Sequence, residues 1–182
     1  QAGRGRRRLN PGDGQRVPTH KEIRIVPHSP RRLYELVADI EKYPEFLPWC
    51  IAARVRKREP ARDGELVTAD MVLGFKMFRE RVTSKVTLHP PEDGETGGTT
   101  DGGVQGRIDV EYVEGPLKYL QNRWVFLPAD GGGCEIDFFV DFEFRSRILQ
   151  KIVGALFHEA VSRMVAAFER RATALYGPEG GG

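Results

Sequence analysis

Apolar positions recur along the chain at two different spacings, and the changes of period mark out its elements. Thr19–Val26 alternates weakly, with Ile23 and Ile25 set against Glu22 and Arg24, and predicts a first strand ended by Pro27. Ser29-Pro30 has the form of a helix N-cap followed by proline at the first helical position. Leu33, Leu36, Val37 and Ile40 then fall at helical spacing, which predicts an amphipathic helix over about 30–40. Pro44 and Pro48 break the next stretch into a short helical turn. From residue 51 the period becomes two. Val55 lies among Arg54, Arg56, Lys57 and Arg58, a strand with a basic outer face that Asp63-Gly64 turns into a second strand, Leu66–Leu73. Phe78, Val82, Val86 and Leu88 alternate with Arg79, Arg81, Thr83, Lys85 and Thr87. Ile108, Val110 and Tyr112 begin another strand, Leu120, Asn122, Trp124 and Phe126 a further one after Gly115-Pro116. Beyond Gly131–Gly133, Ile136, Phe138, Val140, Phe142 and Phe144 share one face of the last strand.

Helical spacing returns at the end. Leu149, Ile152, Val153, Leu156, Phe157, Val161, Met164, Val165 and Phe168 form a wide stripe over about 147–175, closed by Gly177-Pro178. The order is strand, helix, six meandering strands, long helix. Short turns imply an antiparallel sheet with one apolar face, which must be covered. The long terminal helix is the element large enough to cover it. The bulky inward positions could fill the space between as a core or line it as a pocket, and the pattern leaves both open.

Composition changes this picture at the ends. Residues 1–16 hold five arginines against Asp13, so a chain of net charge +2 has a slightly acidic domain behind a basic arm. Residues 1–18 and 177–182 offer almost nothing to bury and are expected to be disordered, with one domain over 19–176. The Gly- and Thr-rich stretch 90–106 is expected to be a surface loop. A folded part without a basic surplus gives no DNA-binding footprint. No stretch approaches the roughly 18 apolar residues of a membrane-spanning helix, and no apolar segment suited to a secretory signal follows residue 1. Cys50 and Cys134 stand apart, outside any CxxC spacing, which points to free thiols rather than a disulfide or zinc site. The four histidines form no metal-ligand spacing, and no GxSxG, P-loop or GxGxxG occurs. No catalytic residue, metal ligand or cofactor is therefore expected.

Several segments then resemble one family. SPRRLYELVADIEKYPEFLPWC (Ser29–Cys50), GFKMFRERVTSKV (Gly74–Val86), GPLKYLQNRWVF (Gly115–Phe126) and CEIDFFVDFEFRSRILQKIVGALFHEAV (Cys134–Val161) are similar, in this order, to the coenzyme Q-binding START-domain proteins. Those belong with the bacterial ribosome association toxins inside the polyketide cyclase/dehydrase superfamily. The resemblance implies an α+β helix-grip fold, START/Bet v 1-like, in which a curved antiparallel sheet wraps a long C-terminal helix around a hydrophobic cavity. It implies a bound ubiquinone or other polyprenyl lipid, carried as a chaperone supporting respiratory electron transport. Transient peripheral membrane contact goes with it, at the inner membrane from the cytoplasm of a bacterium or from the mitochondrial matrix of a eukaryote. The alternatives are a toxin-like inhibitor of ribosomal subunit association, contacting the large subunit, and a small-molecule cyclase or dehydratase.

A polyprenyl quinone needs an apolar tunnel and a few placed donors. The candidate walls are Phe46, Leu47, Trp49, Val82, Tyr112, Trp124, Phe138, Val140, Phe142, Phe157, Val161 and Met164. Pro44–Trp49 is apolar where loops are usually polar, which suits either a plug or a gate touching lipid. Glu80, Ser84 and Asn122 share the inward face and are candidate head-group contacts, with Glu80 able to pair with Arg79 or Arg123 instead. The ribosome reading draws on Arg54, Arg56, Lys57 and Arg58 with Arg79, Arg81 and Lys85 as a phosphate-binding patch.

Overall fold

The computed structural model describes residues 19–75, 77–91 and 105–177. The expectations for the basic arm, for most of the 90–106 loop and for the end of the tail fall outside them.

Seven strands form one antiparallel sheet in the order β1-β7-β6-β5-β4-β3-β2. They are β1 (His20–Val26), β2 (Cys50–Ala61), β3 (Gly64–Phe75), β4 (Phe78–His89), β5 (Gly106–Glu114), β6 (Leu117–Pro128) and β7 (Cys134–Phe144). Helix α1 (Pro30–Ala38) and a 3₁₀ turn (Ile40–Glu45) sit between β1 and β2, and the long helix α2 (Arg147–Tyr176) closes the chain. The architecture is the helix-grip arrangement expected. Strands β2 to β7 are joined as consecutive hairpins, and β1 returns to pair with β7, His20 opposite Val140 and Val26 opposite Cys134.

The helices start where their caps place them. The Ser29 hydroxyl accepts from the Arg32 amide and the Ser146 hydroxyl from the Leu149 amide, each satisfying an N-terminal donor. Helix α1 stops two residues short of the expected end, because Asp39 leaves helical backbone geometry and the chain tightens into the 3₁₀ turn.

The core lies between the sheet and all three helical segments. Phe126, Ile108, Val67 and Cys134 are fully buried, and Leu33, Leu36 and Val37 of α1 pack into the same cluster as Trp124, Phe138 and Phe168. Cover of the sheet is thus shared: α1 and the 3₁₀ turn take one end of the inner face. The amino-terminal half of α2 packs separately, Phe157 and Val161 resting on Val140 and Phe142.

Two facing assignments are corrected. In β1 it is Ile23 and Ile25 that face out, 57% and 70% exposed, while Glu22 lies opposite Phe138 on the inner face. Val26 is buried and fixes that parity, since alternate residues share a face. Thr83, expected on an exposed outer face, is only 3% exposed, because its hydroxyl donates to Asp70 Oδ1 at 2.6 Å across β3.

Candidate functional site

Residues on the inner face fall into three groups. Trp124 and Phe138, centroids 4.5 Å apart, form the aromatic centre, and Phe168 of α2 meets Trp124 at 5.4 Å. Phe46 packs edge-on to Phe168 at 5.2 Å, with the Arg171 guanidinium over its ring. Leu47 and Met164 pack against the same cluster. This is the plug reading of Pro44–Trp49 for Phe46 and Leu47; Trp49 is half-buried and its carbonyl accepts from the Gly74 amide at 2.9 Å. The second group is Val140, Phe142, Phe157 and Val161, with Phe142 and Phe157 centroids 5.7 Å apart. The third lies across the sheet on β4 and β5: Val82 and Ser84, both buried, and Tyr112, which pairs in register with Ser84.

A cavity of about 40 Å³ lies under α2. Its walls include Trp124, Phe126, Phe138, Phe168, Val165 and the α1 residues Leu33, Leu36 and Val37. Of the candidate walls only Trp124 and Phe138 line it. Drug-sized ligand pockets run to roughly 300–1,000 Å³, so a prenylated ring requires the walls to part.

The polar residues at this cavity escaped the sequence reading. Glu22, Arg24 and Glu169 line one side. Arg24 bonds Glu22 and reaches Glu169 at 2.7 Å, tying the edge strand to α2, and His20 Nε2 lies 3.0 Å from Glu22. The bond from Arg24 holds the Glu22 carboxyl below the usual carboxylate range, and Glu22 in turn raises Arg24. The available signal was the parity of Val26, outweighed by the more conspicuous isoleucines.

The expected head-group trio is divided. Asn122 is already engaged: its side-chain N–H donates to the Phe139 carbonyl at 2.8 Å and its Oδ1 accepts from the Trp124 indole at 2.9 Å. Glu80 is half-exposed and forms no ion pair among the described residues, while Arg123 bonds Asp109 instead. Ser84 remains buried on the inner face.

Cys50 and Cys134 are both buried free thiols, pushed up by burial to about 11 and about 12. Such thiols are protonated at neutral pH and serve as small apolar filler. Among the described residues no cluster of side chains suits a metal ion.

On the outer face, Arg56 pairs with Asp70, Lys57 with Glu59 and Arg58 with Glu65, so most of the β2 cluster is neutralised. Arg54, Arg79, Arg81 and Lys85 form no ion pair among the described residues and are exposed.

Fold and interior together define a helix-grip protein with an apolar centre between sheet and helix. The chain belongs to the family described as polyketide cyclase/dehydrase and lipid transport, which matches residues 26–169. It is 36% identical to ribosome association toxin RatA of Rickettsia prowazekii, over 84% of this chain and 94% of that protein. It is 28% identical to the mitochondrial coenzyme Q-binding protein COQ10 homolog B of Xenopus laevis, over 90% of this chain and 62% of that one. Among solved structures, an 18 kDa protein from Caulobacter crescentus superposes with a TM-score of 0.67 at 30% identity, covering 88% of this chain and 99% of that one.

Proposed function

We propose that the protein binds a ubiquinone-class polyprenyl lipid between its sheet and α2 and carries it to and from a membrane surface, making and breaking no covalent bond. The observation that supports this best is the aromatic, apolar cavity under α2, on a fold shared with a coenzyme Q-binding relative. Its 40 Å³ belongs to a closed state, and loading opens it. The α2 wall of the cavity is Val165, Phe168 and Glu169, and loading moves this part of the helix away from the sheet. The ionisable groups on the cavity wall are committed to one another as charged pairs, an arrangement suited to holding α2 rather than to exchanging protons with a substrate. The membrane-facing end is the one where β2 and β4 begin and α2 starts. Ile51, Leu73, Met77, Val113 and Ile148 are all exposed there. No helix among the described residues is long and apolar enough to cross a membrane, so contact through this helical fold would be peripheral.

Organic extraction of purified protein, followed by incubation with ubiquinone and native mass spectrometry, tests the reading. Bound quinone at one per chain is expected. Protein that carries none and takes none up would sink it.

A second reading, association with the large ribosomal subunit, is favoured by the RatA relative and by Arg79, Arg81 and Lys85 lying unpaired among the described residues along the outer face of β4. Gradient co-sedimentation with the large subunit, lost at high salt and in an Arg79→Glu/Arg81→Glu variant, would establish it. The absence of any co-sedimentation at low salt would remove it.

A further inference from the structure

On the inner face, β5 aims a phenol into the interior. The Tyr112 hydroxyl is shielded from solvent and has no hydrogen-bond partner among the described residues. A buried hydroxyl left without a partner costs roughly 1–3 kcal/mol, so such groups are uncommon in native interiors.

Local structure explains how Tyr112 comes to be aimed inward. Ile108 and Val110 precede it at alternate positions on β5, and Ile108 is 2% exposed, so this parity faces the core. Pairing of β5 with β6 ends at Glu111 opposite Gln121. On the other side Thr83 pairs with Glu114 and Ser84 with Tyr112, which makes Val113 the extra residue of a β-bulge. Bulges re-aim side chains next to functional sites. The residue after the strand, Gly115, holds a φ of +138°, and a Cβ there would meet the Arg81 carbonyl at 2.5 Å, so this hairpin end is held tightly against β4.

The neighbouring row supports a site. Ser84 stands opposite Tyr112 in register and is buried. The next residue in that row is Ala69 on β3, buried in the main core cluster. Two hydroxyls from adjacent strands thus face the interior side by side, surrounded by Val82 and Val110. Asn122, another polar group on this face, is committed to Trp124 and the Phe139 carbonyl.

We infer that the Tyr112 hydroxyl, with Ser84 beside it, is the donor site for a carbonyl oxygen of the bound lipid, so that the protein selects an acceptor-bearing ring over a plain hydrocarbon. This rests on the lipid-carrier reading. A phenol without a protein partner among the described residues gives up no bond to them on binding a ligand. Its burial penalty is relieved at that moment, which converts a cost in the unliganded state into selectivity.

The test uses full-length protein, decylubiquinone and decylbenzene, followed by quenching or shift of Trp124 fluorescence. Tyr112→Phe is expected to weaken decylubiquinone by roughly three- to tenfold and to leave decylbenzene unchanged. Without ligand the same variant is expected to melt roughly 2–4 °C higher, having lost an unsatisfied hydroxyl. Ser84→Ala is expected to lose decylubiquinone affinity in the same direction. A Tyr112→Phe protein that keeps full quinone affinity, or loses both probes alike, overturns the inference and leaves the carrier reading standing. A lower melting temperature overturns it too, since the hydroxyl would then be bonded without ligand. Wild-type protein that binds neither probe removes the carrier reading itself.

Discussion

Asp70 shows how a single carboxylate can be worth more than its place on an outer face suggests. Burial alone would raise it, but the bonds from the Thr83 hydroxyl and the Arg56 guanidinium outweigh that and hold it below the ordinary carboxylate range. A group depressed in the folded state stabilises fully above its unfolded value of roughly 3.9, and the contribution fades as pH falls through the folded value. Asp70→Asn is therefore expected to cost about 1–2 kcal/mol in urea unfolding at pH 7. The difference from wild type should shrink steadily as the pH falls below about 4. A penalty that is the same in acid as at neutral pH would show that the charge is not what matters. The Glu22–Arg24–Glu169 group works differently, since its members join two elements rather than two adjacent strands.

At the scale of elements, α2 behaves as two helices in series. Phe168 and Ala172 belong to the main core with α1, whereas Phe157 and Val161 rest on Val140 and Phe142 of β7, with His20 of β1 edge-on to Phe157. Phe157→Ala should cost about 3 kcal/mol, a buried aromatic truncation. Its distinguishing effect is local: hydrogen exchange should quicken over 147–161 and stay unchanged over 164–176. Exchange that rises evenly along α2 would mean the helix moves as one body. The elements themselves were largely legible in the sequence. Strands β4 to β7 bury one face and so show a clean period of two, and α2 carries its own stop at Gly177. The features that were not legible came from contacts between distant elements. The inward turn of Glu22 and Arg24 on β1 brings Arg24 to Glu169, which lies 145 residues away in the chain. Thr83 is buried by its bond to Asp70, thirteen residues earlier. Periodicity named the inward face, but it does not distinguish a filled interior from a cavity, because both require the same apolar residues. Asn122 is a partial exception: it and Trp124 lie two apart on one strand face, close enough for the bond between them to have been foreseen.

At the scale of the whole molecule, the two ends of the sheet–helix sandwich are unlike. One is sealed by α1 and the 3₁₀ turn, with Arg171 of α2 bonded to Glu45 at 2.7 Å. The other leaves Met77 97% and Ile148 68% exposed, on the β3–β4 connection and the first turn of α2. Arg79, Arg81, Arg147 and Lys151 stand exposed near those residues without ion pairs among the described residues, against Glu80 and Glu114. Apolar tips ringed by mostly basic side chains suit an anionic bilayer surface: the tips enter the interfacial zone and the cations stay with the head groups. The lipid reading therefore predicts sedimentation with vesicles containing anionic lipid, weakened by salt and weaker still on neutral vesicles. Met77→Glu and Ile148→Glu should each lower the bound fraction by about fivefold or more, through lost apolar burial and added repulsion. Neither should change the melting temperature, because both side chains already face solvent in the free protein. Partition left intact in both variants would move the contact to another surface. Partition lost only in Arg79→Glu/Arg81→Glu would show that charge alone brings the protein to the bilayer, without insertion of the apolar end that gives the lipid its way in.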